Sequence, residues 1–328
     1  MWKTVLTVVL TMAMAACQKS VSQSVAPLQK ITVAITSQPE GALLQIAVSN
    51  GFFADEGLDV QLLPHTFGGL ALQSVIENKA DFATVAETPI MFSILKGEKI
   101  FVLATMVTSS TNNAVLARKS ASIKAPADLL GKRMGFTPGT TSDFFLDSLL
   151  IANSLRRHDV QLVPLKPEDM PDAIMAGQVD AVSTFNYPLT QIKQQLGADG
   201  LAFYDRHLYT ETFNVTSRQD FVRNNVQTVD RFLRALIKAE EFAETNQDQA
   251  QTIVAAATKI DKKLVREVWN AFTFHVELNR TLLITLQDET RWAIREKLTQ
   301  LTEMPDYENF IYQDSLKSVK PEAVKALR

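Results

Sequence analysis

The feature that most constrains this 328-residue chain is a repeated alternation of short β-branched runs with helix-length amphipathic segments. Residues 31–36, Ile-Thr-Val-Ala-Ile-Thr, read as a strand, because β-branched side chains pack well on a pleated surface. Residues 38–51 read as a helix, with Leu43, Leu44, Ile46, Ala47 and Val48 on its apolar side and Gly51 as its stop. Strand signals return at 58–63, 82–85 and 100–107, and another helix begins at 70–76. Strands spaced by helix-length segments favour βαβ units and a parallel sheet.

A second set of the same kind follows. Residues 133–136, 160–165 and 181–185 read as strands, and 140–155, 167–177 and 188–196 as helices. Residues 201–204 and 212–216 are again strand-like. The last third changes period: Val226, Val229, Phe232, Leu233 and Leu236 recur at helical spacing, as do Val265, Val268, Trp269 and Phe272, and later Leu286, Ala293, Ile294, Leu298 and Leu301. Trp269 and Trp292 lie on these stripes and are expected in the core. Two α/β sets followed by helices suit a two-lobed α/β body; periodicity alone leaves a single doubly wound sheet open.

Composition narrows the function. With 46% hydrophobic and 21% charged residues, the chain has material for a full globular core. A net charge of −3 argues against nucleic acid as a partner, since phosphate recognition leaves a basic footprint. Four histidines and one cysteine are too few for a multi-ligand zinc or iron–sulfur site, and no disulfide can form within the chain. No metal or cofactor is expected. The cysteine is Cys17, and it follows Lys3, an apolar stretch over residues 5–13 and the small residues Ala15 and Ala16. That order reads as a signal peptide over residues 1–16. It is similar to a bacterial lipobox with Met14 in place of the usual leucine, which makes Cys17 the expected lipid-bearing residue. Residues 17–30, rich in Ser, Gln and Val, then read as the lipidated cysteine and a flexible tether. The protein is expected outside the cytoplasm, membrane-anchored through lipid, and monomeric.

Open α/β sheets bind ligands beyond the C-terminal ends of their strands. That rule selects Ser37 and Gln38 after the first strand, Phe67, Gly68 and Gly69 after the second, and Glu87 and Thr88 after the third. In the second set it selects Thr140, Thr141 and Ser142, and Phe185, Asn186 and Tyr187. Gly68 and Gly69 either let backbone N–H groups approach a ligand or simply make a tight strand-to-helix turn. Thr140, Thr141 and Ser142 start a helix, where free N–H groups and hydroxyls suit an anion, or where they are ordinary caps. Asp143 in the same turn would repel an anion if it faced the cleft. Glu87 would attract an amine or an aminopyrimidine edge, or it is a structural carboxylate. Phe67, Phe185 and Tyr187 are candidate walls.

Five segments, in order, carry a resemblance. They are Gly51-Phe-Phe-Ala-Asp-Glu-Gly-Leu-Asp-Val60, Asp81-Phe-Ala-Thr-Val-Ala-Glu-Thr-Pro89, Ala125-Pro-Ala-Asp-Leu-Leu-Gly-Lys-Arg-Met-Gly135, Gly139-Thr-Thr-Ser142, and Ala176-Gly-Gln-Val-Asp-Ala181 with Phe185-Asn-Tyr-Pro188. Over residues 31–220 the chain resembles the periplasmic solute-binding proteins of nitrate, sulfonate and taurine importers, a group that includes relatives of thiamine-pyrimidine synthases. The resemblance implies a type II periplasmic-binding fold. One lobe would take residues 31–109 and 215–328, and the other 114–210. The crossovers would lie near 108–113 and 209–214, and the lobes would close like a hinge on the solute. It implies an ABC permease as partner and a small anionic or zwitterionic solute, with a thiamine-precursor pyrimidine as the alternative. The synthases in the group use a cysteine-rich segment and a reactive histidine. Here the sole cysteine is Cys17, so no catalytic residue is assigned and the chain is read as a receptor, not an enzyme, with an exported enzyme on the same scaffold as the runner-up.

Overall fold

The computed structural model describes residues 27–36 and 38–325. Cys17, the leader, the first part of the tether and Ser37 lie outside the described residues. In chain order, β1 (Gln29–Thr36), α1 (Ala42–Ser49), α2 (Phe52–Asp55), β2 (Leu58–His65), α3 (Gly68–Ile76), β3 (Phe82–Ala86), α4 (Glu87–Leu95) and β4 (Ile100–Ser109) come first. Next come β5 (Asn113–Arg118), β6 (Arg133–Phe136), α5 (Thr141–Ala152), β7 (Gln161–Pro164), α6 (Met170–Met175), β8 (Ala181–Phe185), α7 (Asn186–Leu196) and β9 (Gly200–Phe203). The chain then returns through β10 (Glu211–Arg218), α8 (Gln219–Asn224), α9 (Val226–Thr245), α10 (Gln247–Thr258), α11 (Lys262–Trp269), β11 (Thr273–Glu277), α12 (Arg280–Arg295) and α13 (Asp314–Val319).

These strands form two separate sheets, which excludes the single doubly wound alternative. The first has the order β11-β4-β10-β3-β1-β2, and the second β7-β6-β8-β5-β9. In each sheet a parallel core (β2-β1-β3 and β7-β6-β8) continues into antiparallel strands. β3 is almost wholly buried, as a strand covered on both faces must be. β2 is an edge strand with exposed positions, which is where Pro64 costs no ladder bond. The chain leaves the first sheet at Ser109, enters the second at Asn113, and comes back from Phe203 to Glu211.

The helical reading of the last third is corrected at two places. Thr273–Glu277 is a strand pairing antiparallel with β4. Its Thr, Phe and Val suit a pleat, and it covers what would otherwise be an open edge of β4. The stripe also stops before Leu298 and Leu301, which are 38% and 42% exposed. α12 ends at Arg295, and Lys297 adopts a left-handed φ of 57°, so the periodicity has no helix to run on. The loop residues expected after β3 and β8 instead begin helices: Glu87 and Thr88 open α4, and α7 starts at Asn186, two residues before the expected 188. Proline is tolerated there because first-turn N–H groups have no intrahelical partner.

The C-terminal helices pack onto the first sheet through aromatic stacking. Phe232 of α9 lies flat on Phe82 of β3, with centroids 4.2 Å apart and 9° between planes, and tilts against Phe53 at 5.1 Å. Trp269 and Trp292 are buried, as their stripes required. Trp292 has a second role. Its ring meets Phe144 of α5 edge-on at 5.4 Å, and its Nε1 donates to Asp147 at 2.5 Å, so α12 grips the second sheet's helix directly. Truncating the central ring should show how much the return helices depend on this seam. Phe232→Ala is expected to lower the unfolding free energy by about 3–5 kcal/mol, read from urea denaturation monitored by circular dichroism.

Candidate functional site

The site begins at the hinge. Glu211 opens β10 and is buried, and its Oε2 accepts hydrogen bonds from the side-chain amides of Asn112 at 2.8 Å and Asn113 at 2.7 Å. These asparagines are the end of one crossover and the start of β5, so a single carboxyl ties both inter-sheet passages together. The Asn112 amide also donates to Glu40 Oε1 at 2.9 Å, in the short turn between β1 and α1. The Asn113 side-chain oxygen accepts from Thr141 Oγ1 at 2.9 Å, which fixes the start of α5 against the hinge.

Between the sheets lies a narrow cavity of about 30 Å³. The first sheet's side contributes Thr36, Gln38, Glu40 and the loop of Phe67, Gly68 and Gly69. The second contributes Thr140, Thr141, Phe185 and Asn186, and Glu211 and Phe213 form part of the floor. Three buried polar atoms on this lining have no hydrogen-bond partner among the described residues: Thr36 Oγ1, Glu40 Oε2 and Asn186 Oδ1. Unmet buried polar atoms are costly, so this concentration marks a place where a ligand's hydrogen-bonding group would be stabilising. Asn186 is also held at a positive φ of 53°, a conformation uncommon outside glycine.

Eight expected residues therefore converge on the cavity: Gln38, Phe67, Gly68, Gly69, Thr140, Thr141, Phe185 and Asn186. Four others lie elsewhere. Glu87 is fully buried at the start of α4; its Oε2 accepts from the Thr212 backbone N–H at 2.7 Å and hydroxyl at 3.0 Å, and its Oε1 accepts from the Tyr209 hydroxyl. Its carboxylate is committed to the second crossover. Thr88 is buried and donates to Glu289 of α12. Ser142 is buried and bonded to the Thr140 hydroxyl at 3.0 Å, and its carbonyl accepts from Ser183 at 2.7 Å. Tyr187 points to the outer mouth. Asp143 does not face the cavity: its oxygens accept from Gly139 N–H at 2.9 Å and Arg157 at 2.7 Å. Gly68 and Gly69 serve packing as well as access. A Cβ at Gly68 would sit 3.1 Å from Val85, and one at Gly69 3.1 Å from the Phe67 ring.

Sequence reading missed Glu40, Glu211, Asn112 and Asn113. Glu40 carried a usable signal, since it falls within four residues of the end of β1, where strand-end groups point into a cleft. Glu211 and the asparagines act through contacts between distant segments and leave no local pattern.

The electrostatics are unusual. Glu40, Glu87, Glu211 and Glu289 are all buried, and none is in an ion pair among the described residues. Burial pushes Glu40 up to about 7, against hydrogen bonds from its own backbone and from the side chains of Asn186 and Asn112. Burial likewise pushes Glu87 up to about 7, against the bond from Tyr209. Glu211 is raised well above the ordinary range by burial and then by the negative field of Glu40 and Glu87. Glu289 is raised by burial and by Glu87. Burial without a neighbouring cation among the described residues thus favours the protonated forms of this group of acids.

Comparison with known proteins agrees with this architecture. The sequence pattern described as "NMT1/THI5 like" matches residues 38–250. A Brucella abortus protein named as a binding protein is 27% identical over 225 residues, covering 67% of this chain and 69% of the relative. The formylaminopyrimidine-binding protein of Halalkalibacterium halodurans is 24% identical over 249 residues, 74% of each chain. The crystal structure of the periplasmic aliphatic sulphonate binding protein of Escherichia coli superposes with a TM-score of 0.75 at 16% identity, covering 87% of this chain and 98% of that one. That likeness is one of fold, and the fold is the periplasmic-binding-protein type.

The buried acids make stability depend on pH with a definite sign. Above about pH 4.5 the unfolded chain has released protons that folded Glu40 and Glu87 still hold. Their contribution is whole below that pH and is lost as pH rises through about 7. The ligand-free protein is expected to melt at progressively lower temperature between these limits, with a shallower fall in Glu40→Gln. Calorimetric scans of both proteins across the range check this.

Proposed function

The chain belongs to the NMT1/THI5-like family and is a solute-binding protein rather than an enzyme, and we propose that its solute carries an amine or an equivalent hydrogen-bond-donating head group. The observation that carries this reading is the placement of the buried Glu40 and Glu211 on the cavity lining, with no cation paired to either among the described residues. Burying a charge without a partner is strongly unfavourable, so the acids stay protonated until something compensates them. A ligand ammonium supplies that compensation. A bare anion such as nitrate does not, although the start of α5 at Thr141 and the Gly68-Gly69 loop remain suited to the anionic end of a zwitterion. A taurine-like solute therefore fits better than nitrate or a simple sulfonate.

An aminopyrimidine is the second reading. Its exocyclic amine would donate to Glu40 Oε2, and its ring nitrogen would accept from a protonated carboxyl. The formylaminopyrimidine-binding protein cited above favours this solute class.

The receptor would release its cargo to a membrane permease of the ABC type. Export and lipid attachment at Cys17 rest on the order Lys3, apolar stretch, Ala15, Ala16, Cys17. Among the described residues no helix is long and apolar enough to cross a membrane, so attachment through lipid would supply the anchor this reading needs. A ligand that binds only the folded state at 100 times its Kd adds about 2.7 kcal/mol of stability. Taurine and 4-aminopyrimidines are expected to raise the melting temperature by several degrees at saturation, and nitrate and methanesulfonate to leave it unchanged. A shift with nitrate alone would overturn the amine reading.

A further inference from the structure

The two passages between the sheets also border a second cavity, of about 240 Å³. Thr108 and Ser110 come from the end of β4 and the first passage, and Arg206 and Thr210 from the second. Asn270 and Thr273 join them where α11 gives way to β11. This cavity shares no lining residue with the one at Glu40 and Glu211.

Its chemistry is one-sided. Arg206 brings a positive charge, and among the described residues no carboxylate lines the cavity. Asp205 and Glu267 line an adjoining recess, which Arg206 also borders, but not this cavity. The hydroxyls of Thr108, Ser110, Thr210 and Thr273, the amide of Asn270 and the Arg206 guanidinium make no hydrogen bond or ion pair among the described residues. The backbone that carries them is nonetheless fixed. Thr108 and Thr273 are register partners on β4 and β11, Ser109 Oγ accepts from the Thr111 N–H at 3.2 Å, and the Thr210 carbonyl accepts from Thr285 at 3.4 Å. The walls are held by the fold while their polar side chains stay uncommitted.

We propose that this cavity is a binding site for a doubly charged tetrahedral oxyanion of the phosphate class, held by Arg206 and the hydroxyls of both passages. A guanidinium presents its N–H groups as a planar fork that matches two oxygens of such an anion. Hydroxyls rotate, so they can donate to its remaining oxygens or accept from its own O–H. The cavity has room for several water-sized groups, so the anion can enter with part of its hydration. Nitrate and methanesulfonate carry a single charge, which weakens their attraction to Arg206, and they offer fewer oxygens to the surrounding donors. An exposed arginine by itself is ordinary. This one converges with uncommitted hydroxyls from three separate segments, with no carboxylate on the lining to neutralise it. An anion bonded to both passages would tie them together and restrain relative movement of the two sheets without entering the solute cavity.

The test is phosphorus NMR of inorganic phosphate titrated with the full chain, at constant ionic strength set with sodium chloride. Saturable line broadening is expected at millimolar phosphate. Arg206→Gln should weaken binding by at least about tenfold, the loss that follows from removing charge-assisted hydrogen bonds. Arg206→Lys should recover part of it. Arg280→Gln, at an exposed arginine that does not line the cavity, should leave the affinity unchanged. Circular dichroism checks that each variant folds. Amide hydrogen exchange read by mass spectrometry then locates the anion: phosphate should slow exchange over residues 108–111 and 206–210 in the unaltered chain and not in Arg206→Gln. No saturable binding would overturn the proposal. Equal weakening by Arg206→Gln and Arg280→Gln would overturn it in favour of a diffuse response to net charge. Protection around Gln38, Gly68 and Thr141 in place of the two passages would overturn it and make phosphate a solute of the main cavity.

Discussion

The structure depends on one buried carboxyl. Glu211 accepts from Asn112 and Asn113 at the point where the chain passes between its two sheets, and Asn112 in turn reaches Glu40. These are charge-capable hydrogen bonds in a dry setting, where each is stronger than it would be in water and each missing partner is more costly. They fix where one lobe meets the other. The cavity, the start of α5 and the second crossover are all positioned relative to that point.

Placing an acid at a hinge has chemical consequences. Glu87 secures the second crossover through Tyr209 and Thr212, and Glu289 receives Thr88 from behind. Four acids share a region with no basic side chain paired to them among the described residues; burial disfavours their charged forms, and their negative fields add to that. Two of them, Glu40 and Glu211, line the cavity, so under the proposed reading the arrangement that joins the two sheets would also set the sign of charge the cleft receives. The clamp from Trp292 to Asp147 and Phe144 adds a second inter-lobe connection on the C-terminal side, made mainly of aromatic packing and far less dependent on protonation.

Local pattern reached far into the fold because parallel sheets bury both faces and so write themselves as apolar β-branched runs. β1, β3 and β8 are of that kind, and the strand-end rule then found Gln38, Phe67, Gly68, Gly69, Thr140, Thr141, Phe185 and Asn186 without knowledge of the packing. The same rule offered Glu87 and Thr88 as cleft groups. Both sit at the correct strand end, but the helix they begin turns their side chains toward Tyr209 and Glu289. Direction at a strand end is a tertiary property. β11 escaped for a related reason: a five-residue strand inside helical surroundings is stabilised by the free edge of β4, which is distant in sequence.

The sequence by itself determined the class of fold, the existence of two α/β sets and the loops that could meet a solute, because hydrophobic periodicity and turn chemistry are local quantities. Only the tertiary structure decided which acids line the cavity, that they are buried with no cation paired to them among the described residues, and that Gln38 and Asn186 meet across that cavity. Burial and charge pairing depend on what the rest of the chain brings alongside a residue. Glu40 reads the same in sequence whether an arginine or an asparagine comes to lie next to it, and here it is Asn112.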